Sequence, residues 1–496
     1  MNAENKPVRK VVIVGGGTAG WVAAIALSQQ LKELLDITLI ESEEIGTVGV
    51  GEATIPTMSA FHRLIRIDEQ EFMRRTEATF KLGISFENWG AVGEKYFHAF
   101  GITGKATWLA EFLHFWLRAR ELGWTNDIGE FCREWVAAKE GRFGKGPGME
   151  VSYAYHLDAG FYARYLRELS EKNGVKRVEG KVVSVNLNPD DGNIESVSMN
   201  SGDTIVGDLF IDCSGFRGLL IEEAMQAGYE DWSEWLLCNS AVAMQTSAAE
   251  EAIPYTRSIA YGAGWRWKIP LQHRVGNGFV FSKEHISDDE AIALLKKEVT
   301  GEPLNEPRII RFKPGKRKNY WVKNCVAMGL ASGFLEPLES TSIHLFMNAV
   351  TRLMHLFPFD GIKPSLVKEY NAEAHLELES IRDFIILHYH VTRRDDSEFW
   401  RYCKNMSIPP SLKHRIEMFA ENAQTFQKGK ELFRVDSWNQ VMLGQGLLPK
   451  DYHRFVDIMQ QDDLKTFLAS LKNTISQQVA AMPPHHEFVE KYCQVS

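Results

Sequence analysis

Short apolar runs alternate with helical stretches along the first half of the chain. The run Val11–Val14 leads into three glycines and then into an apolar helical stretch that begins near Trp21. A second run, Ile37–Ile40, ends in Glu41. Continuous apolar runs are typical of strands buried on both faces of a parallel sheet. The order strand, glycine turn, helix and strand predicts an α/β fold of the Rossmann type.

The later pattern adds a second sheet and a helical end. An amphipathic helix is predicted from Phe61 to Phe72, and the stretch Tyr155–Asp158 is expected to introduce another helix over Phe161–Ser170. The runs Val182–Val185 and Ser196–Met199 predict a hairpin, residues 239–282 look rich in strands, and the chain from Pro364 onwards is mostly helical. We therefore expect two domains, one over residues 1–360 with inserted substrate-side segments and a helical one over residues 361–496 that completes a substrate pocket.

Composition narrows the class of protein. The 496 residues include 56 basic and 65 acidic ones, for a net charge of −9, which argues against nucleic acid as the main partner. No apolar run reaches membrane-spanning length and none resembles a signal peptide, so a soluble, cytoplasmic protein without a membrane partner is expected. The six cysteines form no C-x-x-C pair, which predicts reduced thiols and no metal site. The pair His485–His486 is expected at the surface.

The glycines after the first strand have the spacing of a dinucleotide site. Gly15, Gly17 and Gly20 fit G-x-G-x-x-G, in which the second glycine admits a pyrophosphate to the helix start formed by Thr18 and Ala19. Glu41 ends the second strand about 20 residues beyond the last glycine, where a carboxylate binds a ribose hydroxyl. The alternative is a glycine-rich turn with an empty helix start.

Two further stretches point to the kind of nucleotide. The glycine-rich loop of residues 46–57 carries Gly51, Glu52, Ala53 and Thr54. It either contacts the reactive ring, gates access to it, or simply connects two elements. The strand Leu209–Asp212 runs into a small-residue turn that contains Gly215. This turn resembles the second nucleotide motif of flavoproteins related to glutathione reductase and the aromatic hydroxylases, which favours FAD over NAD.

A sharp turn from Gly333 to Ser342 combines a glycine, a proline, two carboxylates and three hydroxyls. It follows the apolar run Cys325–Ala331, which is interpreted as a buried strand, and precedes a helical stretch that begins at Ile343. A helix start offers unpaired N–H donors and a positive dipole end. The turn is therefore suited to an anion or to the polar edge of a cofactor.

Candidate chemistry also lies among aromatic residues. Lys81 has apolar neighbours, so it is either desolvated for chemistry or extended towards the surface. His98 and Phe100 alternate on an extended piece, which places both on one face of a pocket. In the Trp-x-Trp-x-Ile-Pro motif (Trp265–Pro270), the two tryptophans share one sheet face and the charged residues the other; ordinary sheet packing also explains it.

Together these motifs resemble the flavin-dependent tryptophan halogenase family over most of the first 360 residues. The resemblance implies reduced FAD supplied by a separate flavin reductase, a halide ion (bromide or chloride), and halogenation of a small electron-rich aromatic ring. It also implies cofactor contacts from Val183 and Leu330, and a homodimer by family habit. The tryptophans of the Trp-x-Trp-x-Ile-Pro motif are then expected to keep the flavin from acting as a hydroxylase.

The resemblance implies roles for the remaining candidates. Lys81 and Glu339 match the two catalytic residues: the lysine guides hypohalous acid, and the carboxylate polarises the halogen species or takes the ring proton. His98 and Phe100 match the positions that enclose the substrate ring. The halide is expected at Ser340, Thr341 and Ser342.

Two departures from the family pattern shape the expected specificity. Ser342 stands where family members often have glycine, which leads us to expect a preference for bromide. The segment Phe433–Asn439 lacks the tyrosine- and glutamate-rich lid that holds free tryptophan, which favours indole or an indole-like ring. An aromatic monooxygenase and a catalytically silent flavin-binding subunit are the alternatives on the same fold.

Overall fold

The structure is a computed structural model that describes residues 7–45 and 52–494. Backbone contacts divide the chain into two units, and each consists of three separate stretches of sequence. Unit 1 comprises Met1–Ala78, Leu157–Glu234 and Arg311–Leu378. Unit 2 comprises Thr79–His156, Trp235–Ile310 and Glu379–Ser496.

The bounds of the strands and helices follow in chain order. The strands are β1 Lys10–Val14, β2 Asp36–Glu41, β3 Glu52–Ala53, β4 Thr79–Lys81, β5 Gly83–Glu87, β6 Lys95–Ala99, β7 Ala154–Leu157, β8 Lys176–Glu179, β9 Val182–Leu187, β10 Ile194–Met199, β11 Thr204–Val206, β12 Leu209–Asp212, β13 Tyr229–Asp231, β14 Ser240–Ser247, β15 Thr256–Tyr261, β16 Gly264–Pro270, β17 Arg274–Phe281, β18 Arg308–Arg311, β19 Gly315–Arg317, β20 Trp321–Val322, β21 Cys325–Ala327 and β22 Gly333–Phe334. The α-helices are α1 Thr18–Leu31, α2 Thr57–Leu64, α3 Glu69–Thr76, α4 Phe112–Glu121, α5 Arg133–Lys139, α6 Ala159–Lys172, α7 Asp288–Glu298, α8 Ser342–His355, α9 Pro364–His390, α10 Glu398–Asn405, α11 Pro410–Asn422, α12 Val435–Gly444, α13 Gln461–Ala480 and α14 His485–Cys493.

The main sheet of unit 1 has the strand order β20-β21-β12-β1-β2-β8. Strand β1 pairs in parallel with β2 on one side and with β12 on the other, so that Val14 lies opposite both Ile40 and Asp212. The carboxyl ends of the three strands therefore meet at one edge, where ligands of open α/β sheets bind. The predicted α/β fold with a Rossmann-type parallel sheet is confirmed.

Apolar side chains cover this sheet. Val12, Val14, Phe210 and Ala327 belong to one buried cluster in unit 1. Helix α1 packs against α6 and α8, so the helix that follows the glycine turn is in contact with the helix that follows the Gly333–Ser342 turn. The two predicted ligand-binding turns of unit 1 are thus held by one helix pair.

The sheet of unit 2 has the order β18-β14-β17-β16-β15-β5-β6. Strand β16 carries the Trp-x-Trp-x-Ile-Pro motif between β15 and β17, and all of its residues are buried. The face that holds its charged residues is therefore buried as well: Arg266 donates to Asn277 Oδ1 (3.1 Å) and Lys268 to Glu250 Oε2 (3.0 Å). Central strands of a covered sheet require such pairing, because buried charges are costly without partners.

Three sequence-based interpretations were wrong in detail. The helix predicted from Phe61 to Phe72 is two helices, because Asp68 caps α3 by accepting a hydrogen bond from Glu71 N (2.8 Å). The buried strand predicted for Cys325–Ala331 ends at Ala327 and continues as a 3₁₀ turn. His485 is buried, and its Nδ1 lies 2.6 Å from the Ala252 carbonyl oxygen.

Other expectations agree with the structure. The hairpin of β9 and β10 is antiparallel, and helices make up most of the chain after Pro364. The six cysteines are free thiols. Over the described ranges, no helix is both long enough and apolar enough to cross a bilayer.

The buried His62 makes the stability of the fold sensitive to acid. Its Nε2 lies 3.0 Å from the Tyr162 hydroxyl, and burial lowers its pKa to about 3. Because the unfolded chain binds a proton near pH 6.5 and the folded one does not, the stabilisation is present above pH 6.5 and is lost as pH falls towards about 3. We expect the melting temperature of His62→Leu to fall less than that of the wild type as the pH is lowered from 6.5 to 4.

The matched control is His355→Asn, because His355 is exposed on α8. It should leave the pH dependence of melting as in the wild type. The same acid slope in His62→Leu as in the wild type would show that His62 does not contribute to it.

Candidate active site

The glycine turn after β1 is packed too tightly for side chains. Gly15 has φ +117°, and a Cβ atom there would lie 2.2 Å from the Cys213 carbonyl oxygen. A Cβ on Gly20 would lie 1.9 Å from the Gly15 carbonyl oxygen. Gly17 caps α1 without a side-chain hydrogen bond, and Thr18 begins the helix. The turn thus presents backbone N–H groups to a ligand, as pyrophosphate binding requires.

Gly15→Ala is therefore expected to destabilise unit 1 and to remove nucleotide binding. The left-handed φ and the contact with the Cys213 carbonyl together cost about 2–4 kcal/mol. Thermal melting with and without FAD measures both effects. Gly93→Ala is the control, because Gly93 also has a positive φ (+88°) but no atom within 4 Å of an added Cβ. Equal melting and equal FAD response in the two variants would contradict the close approach at Gly15.

Glu41 reaches back over this turn. Its Oε2 accepts a hydrogen bond from Trp21 Nε1 (3.2 Å), and its Oε1 pairs with Arg177 Nε at 2.5 Å. A Cβ on Gly16 would lie 1.6 Å from Glu41 Oε2, so the carboxylate lies directly against the glycine turn. This is the place where the sequence predicts a ribose contact.

The turn after β12 is supported by Asp212. The buried carboxylate accepts hydrogen bonds from the backbone N–H groups of Ser214 (2.9 Å), Leu220 (2.7 Å) and Ile221 (2.8 Å). Gly215, three residues later, has φ +80° and open space around the position of a Cβ. Asp212 thus shapes the turn, while Gly215 leaves room that fits a cofactor.

Other predicted cofactor contacts also belong to unit 1. Leu330 belongs to the 3₁₀ turn Gly329–Ala331, where a Cβ on Gly329 would lie 2.6 Å from Ala19 Cβ. Thr54 and Ala53 are buried, and burial together with the Asp158 carboxylate raises the pKa of Glu52 to about 7. Gly51 lies outside the described residues.

Val183 differs from these contacts. It lies on β9 in a separate three-stranded sheet and is 63% exposed. Gly180, just before this strand, donates its N–H to the Glu41 carbonyl (2.8 Å), so the strand begins near the nucleotide edge. A contact between Val183 and the cofactor stays a prediction.

The Gly333–Ser342 turn is as sharp as its composition indicates. Glu339 ends a short 3₁₀ helix that begins at Pro337, and its side chain is fully buried. Ser340 adopts a left-handed φ of +59°, Thr341 is buried, and Ser342 begins α8. Three hydroxyl residues therefore precede or open a 14-residue helix, the arrangement that favours an anion.

A buried polar network ties this helix to Thr57 at the start of α2. His344 Nδ1 lies 2.9 Å from Thr57 Oγ1, and His344 Nε2 lies 3.3 Å from Glu377 Oε1. Arg352 Nη2 donates to Glu377 Oε2 (2.5 Å). Burial raises the pKa of Glu377, but the hydrogen bond and charge of His344 and the charge of Arg352 outweigh it and lower the pKa to about 2. The loop after Thr54 and the first turn of α8 are thereby held together.

Lys81 is fully buried at the end of β4 in unit 2. Its Nζ lies 5.1 Å from the centre of the Phe100 ring, within the range of a cation–π contact. The neighbouring backbone explains why Lys81 and Phe100 are in contact, because Phe100 N donates to the Leu82 carbonyl (3.0 Å). The sequence left open whether Lys81 extends to the surface; it does not.

His98 and Phe100 form part of an aromatic wall. Their ring centres are 6.5 Å apart, and the His98 ring also lies 5.5 Å from Phe384 and 6.2 Å from Phe433. The two phenylalanines come from the C-terminal helical region, and sequence reasoning did not single them out as site residues. No local pattern marks them, because their partners are about 300 residues away along the chain.

A cavity of about 470 Å³ lies in unit 2 along the segment that follows Phe100. Its lining includes Thr103, Arg434, Asp436 and Gln440. Gln440 Oε1 accepts from Ala99 N (2.7 Å), and Asp436 Oδ1 accepts from Thr103 N (3.0 Å). Helix α12 thus supports the strand of His98 and gives the cavity a polar wall.

The predicted residues fall into two groups. Lys81, His98 and Phe100 belong to unit 2, and the other predicted site residues that the structure describes belong to unit 1. Sequence reasoning missed the network of Thr57, His344 and Glu377. Their polar side chains are unremarkable one by one, and Thr57 and His344 are 287 residues apart.

Comparison with known proteins identifies the family. The family model described as tryptophan halogenase matches residues 10–461. A tryptophan 7-halogenase from Lentzea aerocolonigenes is 35% identical over 98% of both chains. Among solved structures, a flavin-dependent halogenase from Xanthomonas campestris is 51% identical over 99% of both chains with a TM-score of 0.97. One from Brevundimonas sp. BAL3 is 42% identical over 98% of this chain and 99% of its own, with a TM-score of 0.94. The chain therefore belongs to the tryptophan halogenase family and is a flavin-dependent halogenase.

Proposed function

We propose that this enzyme uses reduced FAD, oxygen and a halide to halogenate indole or an indole-like ring, with Lys81 directing hypohalous acid. The observation that carries the proposal is the fully buried ammonium group of Lys81, 5.1 Å from the Phe100 ring centre. A buried lysine is costly, so its retention beside an aromatic wall favours a chemical role.

The residues of unit 1 fit FAD. Gly15, Gly17 and Gly20 would hold the pyrophosphate at the start of α1, Glu41 would bind the ribose, and the open space at Gly215 would admit the cofactor. When bound in its reduced form, FAD would supply two electrons to oxygen, and the oxygen reduced in this way would take two more electrons from the halide to give hypohalous acid and water. A separate flavin reductase is proposed to regenerate the reduced FAD.

The chain's own residues then control the electrophile. The hydroxyl residues Ser340, Thr341 and Ser342 and the start of α8 hold the halide. Lys81 donates a hydrogen bond to the oxygen of hypohalous acid, which polarises the oxygen–halogen bond. The ring carbon attacks the halogen, the oxygen leaves as water after protonation, and Glu339 accepts the ring proton.

Indole is favoured over free tryptophan as the substrate. Several relatives are named tryptophan 7- or 6-halogenases, which describes those proteins. In this chain, the segment around Phe433 supplies an aromatic ring near His98 and no tyrosine- and glutamate-rich lid. The aromatic wall suits a planar ring without an amino acid group.

One experiment tests the proposal. Purified protein receives FAD, a flavin reductase, NADH, oxygen, bromide and indole, and the products are analysed by mass spectrometry. A bromine isotope doublet on indole is expected. An oxygenated product that forms without halide would instead identify a monooxygenase, and the absence of any product would reject indole halogenation.

Ser342 is expected to favour bromide. A serine side chain at the start of α8 leaves less room for hydration water around the ion than glycine does. Because bromide is less strongly hydrated than chloride, it loses less on entering such a site. Turnover with bromide should therefore exceed turnover with chloride at equal concentration, and Ser342→Gly should narrow the difference. Ser332→Gly, which removes a hydroxyl bonded to the Gly329 carbonyl (2.7 Å), is the control. Equal wild-type turnover with both halides would contradict the preference.

A further inference from the structure

The strand that carries Lys81 is anchored by a buried hydrogen-bonded group in unit 2. Strand β4 pairs antiparallel with β7, which places Thr79 opposite His156 and Lys81 opposite Ala154. Thr79, Lys81 and His156 are all fully buried. Because side chains two residues apart on a strand share a face, Thr79 lies on the same face of β4 as Lys81.

The hydrogen bonds of this group fix one arrangement of protons. Thr79 Oγ1 donates its proton to the Pro270 carbonyl (2.7 Å), so it can only accept from His156 Nδ1 (3.1 Å). His156 Nε2, at 2.9 Å from Thr256 Oγ1, then accepts from that hydroxyl if the ring is neutral. The Pro270 carbonyl thus selects the Nδ1–H tautomer of His156.

The electrostatics keep the ring neutral. Burial lowers the pKa of His156 well below its usual value, and the charges of Lys81 and His485 lower it further. A protonated imidazole on the neighbouring strand would repel the ammonium group of Lys81. A neutral ring with both nitrogens hydrogen-bonded holds β4 in place without repelling the positive charge of Lys81.

Pro270 connects this group to the motif on β16. It is the last residue of the Trp-x-Trp-x-Ile-Pro motif, and β16 is held on both sides by β15 and β17. Leu82, immediately after Lys81, donates its N–H to the Pro254 carbonyl (2.8 Å). The Thr79 side chain before Lys81 and the Leu82 backbone after it are therefore bonded to the Pro270 and Pro254 carbonyl groups.

We propose that the Pro270 end of the Trp-x-Trp-x-Ile-Pro motif aims Lys81, with Thr79 and His156 as positioning residues. This role concerns the lysine and differs from shielding of the flavin by the two tryptophans. It rests on the proposed function of Lys81. A displacement of about 1 Å at a group that orients a reactant reduces rates by up to about 100-fold, so small losses at Thr79 should be measurable.

The test compares three substitutions of buried threonines. Thr79→Val removes the donor to Pro270 at constant volume, Thr79→Ser restores it, and Thr76→Val removes a hydroxyl that bonds only within α3, to Phe72 O (2.7 Å). In Thr79→Val, kcat for indole bromination should fall about tenfold or more while KM for indole changes less than about twofold. Hypobromous acid captured by an added diketone trap should rise. Thr79→Ser and Thr76→Val should behave as the wild type.

A second readout needs no turnover. Lysine-selective ¹³C labelling of the protein without flavin gives a Lys81 signal, assigned by its absence in Lys81→Met. Its chemical shift and titration should change in Thr79→Val and not in Thr76→Val. If Thr79→Val melts too low for assay, Thr79→Ala takes its place, because it removes the same hydroxyl without placing a methyl group against the Pro270 carbonyl.

The outcomes separate the two proposals. Wild-type kinetics together with an unchanged Lys81 signal in the Thr79 variant overturns the positioning role. If the wild type itself does not halogenate, the proposed function fails, and the Lys81 signal alone decides whether Thr79 positions the lysine. An equal loss of kcat in Thr76→Val would indicate a general effect of packing and would also overturn the positioning role of Thr79.

Discussion

Lys81→Met is expected to reduce the yield of halogenated indole by about 10²–10⁴-fold, the range supplied by a positioned proton donor in catalysis. Methionine has nearly the length of lysine and fills the buried site beside Phe100 without the ammonium group. Replacing a buried charge by an apolar chain does not create a cavity, so the melting temperature should not fall. FAD binding, which the sequence assigns to residues of unit 1, should be unchanged. Product is measured by mass spectrometry and FAD binding by equilibrium titration.

The matched control for Lys81 is Lys145→Met. Lys145 also lies in unit 2 with its Nζ over an aromatic ring, 5.1 Å from the Tyr153 centroid. Its replacement removes the same charge from a similar contact and should leave the yield within about twofold of wild type. Full activity of Lys81→Met would remove this lysine from the mechanism.

Glu339→Gln is the second substitution for which a large loss of activity is expected. The change keeps the shape of a fully buried side chain and removes its capacity to accept a proton. We expect product formation to fall about 100-fold, at the low end of the range for general acid–base catalysis. The loss should appear in kcat, with KM for indole and for bromide nearly constant, because the carboxylate is proposed to act after the ring has taken up the halogen.

Glu336→Gln provides the comparison within the same turn. Glu336 is 2% exposed and lies three residues before Glu339, so both substitutions place a neutral amide at a buried position. Thermal melting reports any shared cost of losing a buried carboxylate. Equal losses of kcat in both variants would argue that the turn needs two carboxylates for its structure, and that Glu339 has no special part in proton transfer.

The geometry of the turns at the carboxyl ends of β1 and β2 was predictable because each part depends on residues close in sequence. The positive φ of Gly15 and the tight approach at Gly20 follow from a motif six residues long, and Glu41 follows from the strand next in the chain. Parallel pairing then brings these parts to one edge without further information. Local rules and tertiary structure agree here, so the sequence was sufficient to predict the conformation of the glycine turn and the position of Glu41.

The break between α2 and α3 could have been found from the same kind of signal. Asp68 caps α3 through Glu71 N, and an aspartate before acidic residues is a recognised helix start. The apolar periodicity from Phe61 to Phe72 continued across the break and masked it. Periodicity reports which face is buried, whereas the capping residue reports where a helix begins.

Residues that depend on distant partners were not predictable. His485 was expected at the surface because the pair His485–His486 has no partner at ligand spacing in the sequence, yet the Ala252 carbonyl and the rings of Phe80 and Phe143 surround it. Arg266 on β16 shows the same limit. Strand alternation predicted which sheet face carries this side chain, but it could not predict that other segments bury that face. Such burial is decided by segments far along the chain.

The division of the chain into interleaved stretches has a consequence for how this enzyme can be made and altered. Neither unit corresponds to a continuous gene segment, because each draws on three parts of the sequence. A fragment that ends at residue 360 lacks the C-terminal stretch of unit 2, including the Phe384 and Phe433 rings beside His98. Such fragments leave apolar surface uncovered, and assembly waits on contacts between remote residues, which slows folding and favours aggregation. Exchange of specificity between relatives is therefore better attempted by single substitutions than by swapping domains.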